Sequence, residues 1–204
     1  MAEPPYRQKM RASMLGIANR VLATEGLTAL QARRVAQEAG CAVGTLYNVF
    51  GGLDDLIIAA NGDTLDRLGV ALTRADDELT DRTVRSRLMV LALAYLRFAK
   101  ENSQAWRAVF EHHLSPGATV PDWYRERQAG LFSILENALL SVISDQKMRV
   151  SAARALFSAV HGIVTLSLDQ KLGDFDAAEA ERQVRFVVGA AADGMAGAVG
   201  PSDA

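Results

Sequence analysis

Several features are scarce in this chain, and each scarcity excludes a class of protein. There is one cysteine, Cys41, in 204 residues, which rules out an internal disulfide framework and a cysteine-cluster zinc ribbon. Proline occurs five times and glycine sixteen, and no segment of any length alternates with the period of a strand. The apolar residues 12–23, which follow Arg7, Lys9 and Arg11, are interrupted by Asn19 and Arg20, so they do not form a secretory signal. The most apolar run near the end, Phe186 to Val199, contains Asp193 and falls short of the ~20 residues of a membrane span. These observations predict a soluble cytoplasmic protein with no membrane partner. The sequence has no glycine-rich phosphate loop, no Ser or Cys nucleophile with a base in register, and no paired metal motif. Glu111-His112-His113 offers adjacent histidines, but neighbours on a helix point ~100° apart and do not converge on one ion. No catalytic residue, metal or cofactor is therefore expected.

What is present is helical. Half of the residues are hydrophobic and 23% are charged, a globular composition. Apolar residues recur at steps of three and four through Met10, Met14, Ile17, Ala18, Val21 and Leu22, which predicts a first helix from Arg7, capped by Gly26. Thr28 is expected to cap a second helix, with Gln31 as its capping-box partner and Leu30, Val35, Ala36 and Ala39 on the inner side. Gly40 ends that helix. A short third helix, Val43 to Phe50, turns Leu46, Val49 and Phe50 inward and stops at Gly51-Gly52. Longer helices follow: one to about Leu79 that Gly62 and Gly69 weaken, one from Thr83 to Lys100, and one from Gln104 to Leu114. Three more run from Trp123 to Ile143, from after a turn at Asp145 and Gln146 to about Leu172 (closed by Gly173), and from about Ala177 to Val199. The expected fold is all-α with about nine helices, a three-helix helix-turn-helix head (residues 1–52) and a larger body (residues 53–204).

Charge divides along the same line. Residues 1–50 carry six Lys/Arg against three acids, a net of +3; residues 51–204 carry sixteen against twenty-one, a net of −5. A basic head on an acidic body points to a nucleic-acid partner for the head.

Residues 24–56 carry a resemblance. Glu25-Gly26, Val35-Ala36, Ala39-Gly40, Gly44-Thr45-Leu46-Tyr47, Phe50 and Asp54-Asp55-Leu56 resemble the DNA-binding signature of the TetR (tetracycline-repressor-like) family of transcription regulators. The segment Leu156 to Gly173, with His161-Gly162, is similar to the Trp-His-Gly type of ligand domain in that family, although no Trp precedes the pair. One departure is Leu53, where relatives usually carry a phosphate-contacting Lys. The resemblance implies a dimeric regulator, a repressor that a small apolar or aromatic effector releases from a palindromic double-stranded DNA operator. An architectural DNA-binding protein without effector and an all-α enzyme are the alternatives.

The chemistry of a recognition helix then selects residues. Asn48 can pair bidentately with adenine, Thr45 can meet a thymine methyl or a phosphate, and Ala42 and Val43 offer apolar contact to thymine methyls. Gly44 lets the helix approach closely, and the resemblance puts the Tyr47 hydroxyl on a phosphate. Gln31, Arg33 and Arg34 are further DNA-binding candidates, and Arg7, Lys9 and Arg11 form a short basic arm. In the body, the resemblance places an effector pocket among Trp106, Phe110, His113, Trp123, Phe132, Phe157 and His161, although any one of them also suits an ordinary core. Small residues (Ala152, Ala153, Ala155, Ala159, Gly162, Gly189, Ala190, Gly194) suit a homodimer face on the last two helices, with Val184, Val187, Val188 and Met195 as an apolar outer stripe.

Overall fold

The computed structural model describes residues 5–170 and 176–198. Among them are nine α-helices, one 3-10 turn and no strand. Met1 to Pro4, Gly173 and Val199 lie outside the described residues. The chain divides into two compact units, Met1–Arg67 with Asn102–Arg127, and Leu68–Glu101 with Gln128–Ala204.

The first unit begins with α1 (Pro5–Thr24). Pro5 opens it, where a missing N–H costs nothing, and Gly26, at φ 82°, closes it. The expected capping box is not formed. Thr28 lies in a 3-10 turn, Leu27–Ala29, and α2 (Ala32–Glu38) starts after Gln31, whose side chain makes no cap bond. The 3-10 turn takes up the residues that a longer helix would have used. After Gly40, at φ 69°, α3 spans Val43–Phe50. Met14, Ala18, Val21, Val35 and Leu46 are fully buried, and Leu30, Val49 and Phe50 nearly so. They form one core with Leu56, Ile57 and Ala60 of α4 (Leu53–Asp77) and Ala108 of α6 (Ser103–Glu111). Because α6 packs on α1, this unit extends beyond residues 1–52.

Gly62 does not interrupt α4. It is the surface on which the start of α7 (Asp122–Leu139) rests. A Cβ there would meet the Trp123 ring at 2.8 Å and the Arg127 guanidinium. Arg127 in turn lies 4.9 Å over the Trp123 ring and pairs with Asp66 at 3.1 Å.

In the second unit, α5 (Val84–Glu101) packs on α8 (Gln146–Leu168) and α9 (Ala177–Ala198), and α8 packs on α9. Asp145 caps α8 by accepting from the Met148 N–H at 2.7 Å. Asp76 is a buried carboxylate, which is tolerable only because it is paired. The Arg87 guanidinium donates to it at 2.7 and 2.9 Å and also to the Asn137 carbonyl, and Arg82 adds a contact at 3.3 Å. Arg87 holds the Asp76 carboxyl below the usual carboxylate range.

The outer stripe expected on α9 is corrected here. Val184 and Val188 are buried within their own chain, and Gly189 faces Arg85. Among the described residues of α9, the large apolar side chain that is exposed is Phe186, 76% accessible.

Candidate nucleic-acid interface and effector region

The recognition element is built from its inner face outward. Leu46, Val49 and Phe50 anchor α3 in the core, so the opposite edge must face solvent, since neighbouring residues on a helix point in different directions. Ala42, Gly44, Tyr47 and Asn48 are exposed and Val43 and Thr45 half-buried. Tyr47 is 52% accessible, high for an aromatic ring beside a core. A Cβ on Gly44 would meet nothing within 4 Å, so the missing side chain relieves no crowding inside the fold. Gln31, just before α2, and Arg33 on it are exposed.

Arg34 is placed differently from its neighbours. Its guanidinium donates to both Glu25 carboxylate oxygens, at 2.5 and 2.7 Å, and to Glu38 at 3.0 Å, while Arg20 also pairs with Glu38. This network ties α1 to α2. The Arg34 hydrogen bond holds the Glu25 carboxyl below its usual range, and the two glutamates raise Arg34. Arg7 and Arg11 lie on α1 itself rather than on an extended arm.

Leu53 packs against the head core. The next residue, Asp54, accepts from the Ser115 N–H at 3.1 Å and from its hydroxyl at 2.6 Å, which holds the Asp54 carboxyl low. His112 Nε2 lies 3.5 Å from the other Asp54 oxygen. That is an ion-pair distance without hydrogen-bond geometry, and the atom is buried with no hydrogen-bond partner. Burial pushes His112 below its ordinary value, and Asp54 only partly offsets this. Asn61, also buried, donates to the Ala108 carbonyl at 3.0 Å and leaves its Oδ1 without a partner. Asn61 was legible as one polar residue within an apolar stripe. The junction of Asp54, His112 and Ser115 leaves no sequence signal, because Asp54 lies about sixty positions from the other two.

The effector candidates fall into two groups. In the first unit, Trp106 is buried and its ring lies 5.0 Å from Phe110, which is 40% exposed. Trp123 lies on Gly62, and His113 is exposed, its Nδ1 2.8 Å from the Glu111 carbonyl oxygen. In the second unit, Phe132, Phe157 and His161 come together. Phe132 meets Phe157 edge-on at 5.3 Å, and Phe157 stacks on His161 at 5.2 Å. Tyr95, which is not among the candidates above, completes this cluster, with its hydroxyl 2.8 Å from His161 Nδ1. Thr165 Oγ1 lies 3.4 Å from His161 Nε2. Both imidazole nitrogens are thus engaged within the chain, and burial pushes His161 below its ordinary value. An open groove on the second half of α4, lined by Gly69, Val70, Thr73, Arg74, Asp77 and Glu78, contains none of the candidates.

These features coincide with matches to known proteins. Residues 15–60 match the family described as bacterial regulatory proteins, tetR family. Residues 88–191, half of the chain, match the tetracyclin repressor-like C-terminal domain. The chain belongs to the TetR family. As a TetR-family member it is a transcriptional regulator with a helix-turn-helix DNA-binding domain and a C-terminal ligand domain. Proteins of this family are generally not enzymes, and they bind DNA and small-molecule effectors as dimers. The fold is also that of a protein of unknown function from Rhodococcus sp. RHA1, at TM-score 0.74 and 23% identity over 95% of this chain and 98% of that one. A possible TetR family transcriptional regulator from Streptomyces coelicolor A3(2) matches at TM-score 0.68 and 18% identity, covering 92% and 99%. A TetR transcriptional regulator from Rhodococcus sp. RHA1 matches at 0.60 and 20%, covering 92% and 96%.

Proposed function

We propose that this TetR-family chain is a dimeric cytoplasmic repressor that a small apolar or aromatic effector releases from a near-palindromic operator. The observation that carries the DNA reading is the exposed edge of α3, where Tyr47 and Asn48 stand in solvent above a fully buried Leu46. Asn48 and Thr45 are assigned to base edges, with apolar contact from Ala42 and Val43 and close approach at Gly44. Tyr47, Gln31 and Arg33 are assigned to phosphates, which fix register without reading sequence. Arg34 supports α2 through Glu25 and Glu38. The functional division remains residues 1–52 for DNA and residues 53–204 for effector and dimer.

The dimer reading is supported by α8. This helix is long and apolar enough to compare with a membrane span, yet only 17% of its most apolar stretch is buried within the chain. Ser151, Ala155, Ser158, Ala159 and Leu166 form an exposed edge at helical spacing, and small residues there allow close approach of a second copy under two-fold symmetry. For the effector, ring faces predominate: Trp106, Phe110, Trp123, Phe132 and Phe157. His161 is occupied by Tyr95 and Thr165, and His113 is exposed. Release requires the effector to bind the DNA-incompetent state more tightly than the competent one.

A binding-site selection from random duplexes with the purified protein tests the reading. A palindrome is expected, and Asn48→Ala should relax one position in each half-site at ~1–3 kcal/mol. Absence of any enriched site would overturn it. Ala159→Glu should give monomers in sedimentation, and a stable dimer would move the interface elsewhere.

A further inference from the structure

We propose that Arg11, assisted by Arg7, is a positioning residue that sets the angle of the recognition helix, rather than a phosphate contact; this rests on the DNA-binding reading above. The two arginines stand four residues apart and so leave α1 from one face. A guanidinium nitrogen of each lies 3.5 Å from the Val49 carbonyl oxygen. The Arg11 guanidinium carbon also lies 4.4 Å over the centroid of the Phe50 ring.

The physics of a helix end explains the convergence. The last four carbonyls of a helix have no partner within it, and that end carries partial negative charge. In α3 the Gly51 N–H closes back on the Tyr47 carbonyl at 2.9 Å, and the Val49 carbonyl is taken by the two arginines. The face of the Phe50 ring is also electron-rich. One planar cation can lie on the ring and donate to the carbonyl together, whereas an ammonium is a point charge that does neither in the same way. The recognition helix is only eight residues long, and its N-terminus has no side-chain cap. The polar restraint therefore acts at its C-terminal end. Asn48 directly precedes the clamped carbonyl, so a change of tilt there displaces its amide relative to a base edge.

The test uses the full chain, with Arg11→Lys, Arg11→Gln and Arg7→Gln. Binding is measured on the duplex enriched by the wild type and on a scrambled duplex, over a series of salt concentrations. Both Arg11 variants should lower the ratio of the two affinities about five-fold and broaden the base preference beneath Asn48, with an unchanged salt slope. If Arg11→Gln instead lowers the salt slope by about one while Arg11→Lys behaves as wild type, Arg11 is a phosphate contact and the proposal is overturned. Wild-type ratio and slope in both variants overturn it equally. Should the Arg11 variants melt early, Arg7→Gln leaves the Phe50 contact in place and is read by the same two criteria. A wild type that enriches no site overturns the DNA-binding reading itself, and this inference with it.

Discussion

The two units use the same materials, amphipathic helices and aromatic rings, with opposite polarity of display. In the first unit the edge proposed to read DNA is outward. Leu46 is fully buried so that Tyr47 and Asn48 can be exposed. In the second, the chemically distinctive residues turn inward, with Tyr95, Phe132, Phe157 and His161 packed on one another. That unit also exposes apolar side chains, Ala155, Ala159 and Leu166 beside Ser151 and Ser158 on α8, and Phe186 on α9. The difference teaches that exposure has a different meaning in each. An exposed polar edge over a rigid core suits a reader of base edges, while an exposed apolar edge suits a second protein surface.

The largest expected effect separates support from display within the head. Leu46→Ala removes a fully buried side chain and should cost ~2–5 kcal/mol, read as a loss of thermal stability in the full chain. A Tm unchanged from the wild type would mean that the core of the first unit is not organised around α3. Next comes Gly62→Ala. Its Cβ has no room beside the Trp123 ring, so α7 must shift, at ~1–3 kcal/mol. In an exposed helix the same change would be stabilising by ~1 kcal/mol, so the sign of the effect decides whether Trp123 rests on α4.

This also shows what was legible in the sequence. The helices of the head were, apart from the start of α2, because their apolar spacing and the glycines at 26, 40 and 51 act locally. All three glycines have positive φ. The edge of α3 was legible for the same reason, since it is the complement of Leu46, Val49 and Phe50. Gly62 looks like a weak point in the sequence because its partner, Trp123, is sixty-one positions away. Arg34 and Arg33 look alike in the sequence because adjacency does not reveal that Glu25 and Glu38 enclose the Arg34 guanidinium. The burial of Val184 and Val188 is not legible because α9 carries apolar residues on more than one face, and periodicity alone does not say which face meets α5 and α8.

Tyr47→Phe should have a smaller effect, and it tests display alone. The ring is half exposed, so deleting its hydroxyl should leave the Tm unchanged. Affinity for all duplexes, specific and scrambled alike, should fall by ~0.5–1.5 kcal/mol. A loss confined to the specific duplex would instead make Tyr47 a base reader.

The smallest effect concerns the inward display of the second unit. His161 is held neutral by burial, with its value in the fold lowered from 6.5. The unfolded chain then takes up a proton near pH 6.5 that the folded chain declines until lower pH. The stabilising contribution of the neutral ring is therefore complete above about pH 6.5 and declines as pH falls toward the folded value. His112 has the same direction of shift, so the wild type should lose thermal stability between pH 7 and pH 5 through both histidines. His161→Gln removes one titration while keeping a polar partner for the Tyr95 hydroxyl. Its Tm should be lower at pH 7 but flatter over that range. A slope equal to the wild type would place the proton uptake at His112, in the first unit, and leave the ring cluster without a titrating member.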